Sequence, residues 1–435
     1  MKPSAPSSPP LAAVRGEIVH FLADPAADPR ALEHFADGVL IVRDGHVAEC
    51  GPATALLAKL PAGTPLADHR GKLILPGFVD THVHYPQTDI IASHGEQLLE
   101  WLEKYTFPAE RRFADPTHAA EVAGFFCDEL LRNGTTTAAA FATVHPASVE
   151  ALFTAAQARR MRLITGKVLM DRNCPDFLRD TAETGYADSQ ALIERWHNRD
   201  RLLYAITPRF APTSTPAQMA LAGRLFREHP GVFLQSHLAE NRSEVDWVAQ
   251  LHPEARSYLD VYERAGQLGM RAVFAHCLWL DDTDRLRMAE RGAAMSFCPT
   301  SNLFLGSGLF DLRRARALGV RVGLGTDVGG GTSLSMLQTL NEAYKVLQLG
   351  GQSLSAASGF YLATLGGAHS LYLDDRIGNF APGKEADFVV LDPRATPLLA
   401  RRSAACATLE ERLFVLMMLG DDRAVAATYV MGVPM

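Results

Sequence analysis

The residues best suited to chemistry in this chain are histidines and carboxylates that close short apolar runs. Leu75-Pro76-Gly77-Phe78-Val79-Asp80-Thr81-His82-Val83-His84 ends in two histidines spaced i, i+2. On a β-strand such residues share a face, so His82 and His84 project together while Val83 packs on the other side. Taken alone, the pair would be two idle histidines at a strand end. Three further apolar runs close in the same way, on His237, His276 and Asp327. His82, His84, His237 and Asp327 make a four-ligand set for one divalent metal. Zn²⁺ is expected and Fe²⁺ competes, because imidazole serves several first-row metals.

A metal with an open coordination position lowers the pKa of a water molecule to about 7 and so supplies hydroxide. Asp327 would lie beside that water and accept its proton. His276 would act as an electrophile or donate a hydrogen bond to the developing tetrahedral centre. Glu240 follows His237 by three residues, in His237-Leu238-Ala239-Glu240. It is expected to carry a proton to a ring nitrogen and then help an amine leave. The competing role for Glu240 is a first-turn glutamate on the following helix. Such machinery suits hydrolysis of an amidine-like carbon or an amide.

These side chains meet only if their strands do. Between about Lys72 and Leu373, short buried strands alternate with helical stretches such as Ser148 to Arg160 and Pro216 to Glu228. After the opening strand, runs at 135–140, 162–169, 203–207, 232–237, 272–276, 294–298 and 320–327 bring the number to eight. Eight alternating units predict a parallel (β/α)8 TIM-like barrel with its chemistry at the C-terminal strand ends. The alternative, an open doubly wound sheet, would carry a glycine-rich phosphate loop after the first strand, and none is present. The fourth strand ends Thr207-Pro208-Arg209-Phe210, without a lysine that carbamylation could turn into a bridge between two metals. One metal is therefore expected.

The chain ends read differently. Gly38 to Val42 and His46 to Gly51 flank Asp44-Gly45, a hairpin signal. Ala386 to Asp392 and Ala427 to Met431 read as strands. Residues 16–71 and 374–435 are expected to form a small composite β-sandwich, 72–373 the barrel, and 1–15, rich in Pro and Ser, a disordered tail.

The bulk numbers fit a globular enzyme: 435 residues, 47% hydrophobic and 21% charged. A net charge of −7 without a long basic run disfavours nucleic acid as a partner. No stretch has the length and apolarity of a membrane span. Six cysteines without a C-x-x-C pair read as reduced and cytoplasmic.

Pro76 to His84, Ser236-His237-Leu238-Ala239-Glu240 and Gly325-Thr326-Asp327 resemble the first-, fifth- and eighth-strand motifs of the amidohydrolase superfamily. Ala363 to Ala368, Ile377-Gly378 and Pro382 to Val390 resemble its return into the small β-domain. Within it, His84-Tyr85-Pro86-Gln87, Leu99 to Glu110, Met170-Asp171-Arg172-Asn173 and Thr207-Pro208-Arg209-Phe210 resemble the guanine deaminase family. That resemblance implies conversion of guanine and water to xanthine and ammonia in purine catabolism, one Zn²⁺ per subunit and a homodimer. It also implies that Gln87 and Arg209 bind the polar edge of the purine and that Phe210 flanks the ring. His237, Glu240 and Asp327 are expected to face the same substrate.

The chemistry of these residues agrees. Arginine offers several donors in a rigid fork, and glutamine a donor and an acceptor together. Against this stand a surface salt bridge for Arg209 and plain core packing for Phe210. Trp101, Leu102 and Tyr105 read first as packing, on a helix that could wall the mouth. An oxidised guanine, a pterin or a triazine remains open as substrate. A barrel without activity, serving as a scaffold, would have lost its ligands. The cytidine-deaminase type of zinc site pairs H-x-E with P-C-x-x-C, a combination this chain lacks.

Overall fold

Sixteen strands divide between two sheets in the structure, a computed structural model that describes residues 10–435. β1 (Ala12–Phe21), β2 (Leu32–Arg43), β3 (His46–Pro52) and β4 (Leu66–Pro76) come from the N-terminal segment. β5 (Phe78–His84), β6 (Thr135–Phe141), β7 (Arg162–Gly166), β8 (Val168–Leu169), β9 (Leu202–Pro208), β10 (Phe233–Leu238), β11 (Ala272–His276), β12 (Ala294–Phe297) and β13 (Arg321–Leu324) follow, with helices between most of them. β14 (Phe388–Leu391), β15 (Val425–Val430) and β16 (Val433–Pro434) complete the first sheet.

β5 to β13 form the predicted barrel, with parallel pairing throughout and β8 as a short extension paired to β9. Its strands are apolar on both faces, as a parallel sheet covered by helices requires. Val79, Ala139, Ile164, Ala205, Phe233, Val273 and Ala294 point inward and pack together with Leu371 and Ile377. Their neighbours Phe78, Ala138, Leu163, Tyr204, Leu234, Phe274 and Met295 pack outward in the larger core shared with the helices. At the seam between β5 and β13 the ring is joined just past the strand ends. Asp327 N donates to His82 O and His84 N to Val328 O, each at 2.8 Å.

The terminal segments pair as expected, into one seven-stranded sheet in the order β16-β15-β14-β4-β1-β2-β3. The two layers of the expected sandwich are one continuous hydrogen-bonded sheet closed over its own core. Val47 at one end of the sheet and Phe388 and Tyr429 at the other belong to the same cluster. Three boundaries differ from expectation. β1 begins at Ala12, because Ala13 and Val14 are buried in the small domain. The rest of the tail expected over 1–15 lies, through residue 9, outside the described residues. β4 extends to Pro76, so the crossing into the barrel falls at Gly77. A side chain there would collide with Thr136, whose Oγ1 lies 2.2 Å from the position of a Cβ. Helices Pro397–Ala404 and Leu409–Leu419 of the C-terminal segment lie outside the β-domain proper. Leu413, Leu416 and Met417 join the barrel core, and Asn341 on the barrel helix Met336–Leu349 donates to Met418 O at 2.7 Å.

A buried charge network pins the two units together. Arg162 and Arg201 from the barrel hold Glu385, and Arg201 also pairs with Asp387. Replacing Arg201 by alanine leaves two buried carboxylates short of a partner. Thermal or urea unfolding of Arg201→Ala should show a loss of about 3–5 kcal/mol; an unchanged midpoint would remove this network from the account of the domain junction.

Candidate metal centre

His82 and His84 project from the end of β5 into the barrel mouth, while Val83 packs outward in the helix-covered core. His237 comes from β10 and His276 from the last position of β11. Asp327 lies three residues beyond β13. The backbone reaches left-handed conformations at Ala239, His276, Cys277 and Asp327, with φ of 51°, 71°, 55° and 50°. Non-glycine residues rarely adopt this region, and its concentration at one barrel end marks a site where side-chain placement overrides backbone preference.

The donor atoms crowd together. His84 Nε2 lies 3.2 Å from His82 Nε2 and 3.1 Å from His237 Nε2. Asp327 Oδ1 lies 3.1 Å from His82 Nε2 and 3.2 Å from His84 Nε2. His237 Nδ1 is 2.7 Å from the carbonyl of Arg209, which can only accept, so Nδ1 carries the proton and Nε2 a bare lone pair. Burial lowers His84 to about 3 and His237 well below its ordinary value, so both rings are neutral. A cation among these donors would take up the bare lone pair of His237 and the negative charge of Asp327. Four ligands at 2.0–2.1 Å around a tetrahedral metal stand about 3.3 Å apart, close to the spacing found. The residues present therefore fit a metal ion. The Phe141 ring packs against three of the imidazoles, with centroids 4.7–5.0 Å away, and limits their rotation.

A second quartet overlaps the first: His82, His237, His276 and Asp327 also offer donors within 4.8 Å of one another. His276 Nε2, however, is nearest to Glu240 Oε2, at 3.3 Å, and stands 3.7 Å from Asp327 Oδ2. Its Nδ1 donates to Asn302 Oδ1 at 2.9 Å. His84, with three donors of the group at 3.1–3.2 Å, completes the tighter set, and His276 stands beside it. Asp327 is held well below the usual carboxylate range: burial opposes this, but His82 and His84 outweigh it.

Glu240 is not a helix cap. Asn241 caps the helix Arg242–Leu251 in a reciprocal pair with Glu244, and Glu240 lies before it, buried. Its Oε1 accepts from Ser307 Oγ at 3.1 Å. Burial, and then the charge of Asp327, raise its carboxyl above the usual range. Glu240 is thus disposed to hold a proton near neutral pH.

A cavity of about 430 Å³ opens above this cluster, lined by His84, Gln87, Arg209, Phe210, Glu240 and Asp327 among others. Arg209 is buried, in an ion pair with Glu110 at 2.8 Å rather than in a surface bridge. Phe210 both lines the cavity and packs with Trp101, Phe141 and Leu178. Gln87 sits on the short turn Tyr85–Ile90 directly after β5, its Oε1 accepting from Gly329 N at 3.1 Å. Leu98, Trp101, Leu102 and Thr106 supply one wall, while Tyr105 packs behind Trp101. The wall contains the π-helical turn Leu102–Thr106, just ahead of Pro108, which has no N–H to give a regular turn. Thr106 Oγ1 has no hydrogen-bond partner among the described residues.

Met170-Asp171-Arg172-Asn173 acts at one remove. Asp171 accepts from Thr215 N at 2.6 Å, and Asn173 Nδ2 donates to Pro212 O at 2.8 Å, so this stretch staples the loop that carries Arg209 and Phe210. Sequence reasoning passed over Asn302 and Ser307, which orient His276 and Glu240. Neither stands in a recognisable spacing to its partner, and only the fold brings them together. Asp80 was also passed over. Fully buried, it accepts from Thr326 N at 3.0 Å and His82 N at 3.2 Å, tying the two strand ends that bear His82 and Asp327.

Residues 73–435 match the amidohydrolase family. The chain is 55% identical to guanine deaminase of Escherichia coli K12 over 425 residues, covering 97% of each chain. The solved structure of the E. coli guanine deaminase superposes with a TM-score of 0.96, covering 98% of this chain and 99% of that one. Guanine deaminase from C. acetobutylicum, solved with guanine bound in its active site, is 30% identical, with a TM-score of 0.88 over 98% of this chain and 100% of that one.

Because Asp80 aligns two ligands without touching a metal, Asp80→Ala should weaken metal binding by about 10- to 100-fold. Titration with a competing chelator measures this; wild-type affinity would show that the strand tie is dispensable.

Proposed function

The chain belongs to the amidohydrolase family, and on that premise we propose that it hydrolyses guanine to xanthine and ammonia. The observation that carries this reading is one cavity whose lining joins the Arg209 fork and the Gln87 amide to the His/Asp cluster, with the Glu240 carboxyl on the same lining. A guanine edge presents a carbonyl oxygen and ring nitrogens, which such a pair complements; adenine would leave buried donors unpaired. Phe210 and Trp101 supply apolar surface for the ring.

His82, His84, His237 and Asp327 would hold the metal, Zn²⁺ for its preference for imidazole and carboxylate, with Fe²⁺ as the competitor. When bound, it supplies Lewis acidity that makes a water molecule acidic. Asp327 Oδ1 lies toward His82 and His84, whereas Oδ2 lies toward His276. Oδ2 is therefore the oxygen that takes a proton from the attacking water as its oxygen bonds to the amino-bearing ring carbon. Glu240 gives its proton to the adjacent ring nitrogen. His276, its ring fixed by Asn302, faces the oxygen of the tetrahedral centre through Nε2 and donates to it in the doubly protonated form. Glu240, now a carboxylate, takes the hydroxyl proton of the tetrahedral centre and passes it to the amino group. The C–N bond breaks, ammonia leaves, the ring carbon becomes a carbonyl, and the proton left on Asp327 returns to Glu240 for the next cycle.

The same reading places the reaction in purine catabolism and the protein in the cytoplasm as a homodimer. All six cysteines are unpaired, in keeping with a reducing compartment, and no helix among the described residues is long and apolar enough to cross a membrane.

Incubation of metal-replete protein with guanine should yield xanthine, and guanine should lead 8-oxoguanine, pterin and triazine substrates in kcat/KM; no turnover of guanine would overturn the proposal. Glu240→Gln should keep its metal and lose about 10²- to 10⁴-fold in kcat, and a wild-type rate would contradict the proton-carrying role. Arg209→Ala should impair guanine use while metal content stays full.

A further inference from the structure

Glu110 is fully buried, yet the reaction gives it no task. It lies on the helical turn Phe107–Arg111, behind the cavity wall rather than in it. Both of its carboxylate oxygens accept from Arg209 Nη1, at 2.8 and 2.9 Å. The side chain of Gln87 faces the same carboxylate and helps favour its charged form against the upward push of burial. The other end of that amide is taken, because Gln87 Oε1 accepts from Gly329 N at 3.1 Å. The Phe107 ring lies 5.6 Å from the guanidinium carbon.

A carboxylate in this position is costly to bury, and an apolar pair of similar volume would serve stability as well. What it adds is geometry. An arginine side chain has many rotamers, and a fork turned by one of them misses its target. Two bonds from one nitrogen to one carboxylate fix that fork and leave the rest of it for a ligand. The same carboxylate faces Gln87, whose other end is tied to the segment just after Asp327. We infer that Glu110 is a positioning residue that locks Arg209 and Gln87 into one rigid recognition pair for the carbonyl-bearing edge of a purine, and thereby sets substrate binding rather than turnover. This rests on the proposed reading of the cavity.

The test is steady-state kinetics with guanine on wild type, Glu110→Gln, Arg209→Gln and the double variant, with metal content and unfolding midpoint measured alongside. Turnover by the wild type is read first: its absence would sink the proposed function, whereas the comparisons below bear on Glu110 alone. Glu110→Gln keeps shape and loses charge. Its KM should rise about tenfold or more with kcat within about threefold and metal unchanged, the signature of lost uniform binding. On the Arg209→Gln background the same change should add nothing to KM. An unchanged KM, a loss confined to kcat or metal, or an effect that simply multiplies with Arg209→Gln would overturn the inference, since a residue serving only the fold gives those patterns. If Glu110→Gln does not fold, Glu110→Asp asks the same question. Retracting the carboxylate by one methylene should raise KM several-fold at wild-type kcat, and a wild-type KM would overturn it.

Discussion

The structure depends on crowding three imidazoles and a carboxylate at one end of the barrel, with donor atoms 3.1–3.2 Å apart where a cation would lie between them. His84 Nε2 stands 3.1–3.2 Å from the Nε2 atoms of His82 and His237, a spacing that a shared cation suits. The barrel supplies the force that holds them. Its parallel strands are buried on both faces, and it joins its first and eighth strands by backbone bonds at the ligands themselves, Asp327 N to His82 O and His84 N to Val328 O. Asp80 reinforces that joint from below. The left-handed backbone at His276 and Asp327 is accommodated because packing around it fixes the side chains where they must be.

Around this centre the polar groups fall into two sets. In one, His276 Nε2 lies 3.3 Å from Glu240 Oε2 and 3.7 Å from Asp327 Oδ2. Arg209, Gln87 and Glu110 form a second, preorganised set on the far side of the cavity. Both sets are buried, so each hydrogen bond counts for more than it would in water. Leu98, Trp101 and Leu102 give the same cavity an apolar wall.

The barrel was legible because a buried parallel strand leaves a distinct trace, a short apolar run between helical stretches, and eight such runs admit few arrangements. The clustering of His82, His84, His237 and Asp327 was legible because these residues close such runs. Boundaries were less so. β4 continues to Pro76 because the small sheet keeps pairing until Gly77 allows the close pass by Thr136. The helices at 397–419 leave the β-domain because their apolar residues find the barrel core. Neither partner is visible from local sequence. Asn302, Ser307 and Glu110 escaped a functional role for the same reason: each acts on a residue 26 to 99 positions away, and its type alone says nothing. Glu240 shows the reverse case. Its spacing from His237 suited both a helix cap and a proton carrier, and the neighbouring Asn241–Glu244 pair, which caps the helix instead, removes the first reading.

X-ray absorption at the metal edge of the loaded protein addresses the centre directly. Three imidazole nitrogens and one carboxylate around a single ion predict only nitrogen and oxygen scatterers at about 2.0–2.2 Å from the protein. A sulfur shell near about 2.3 Å, or a metal–metal vector at about 3.5–4 Å, would contradict it.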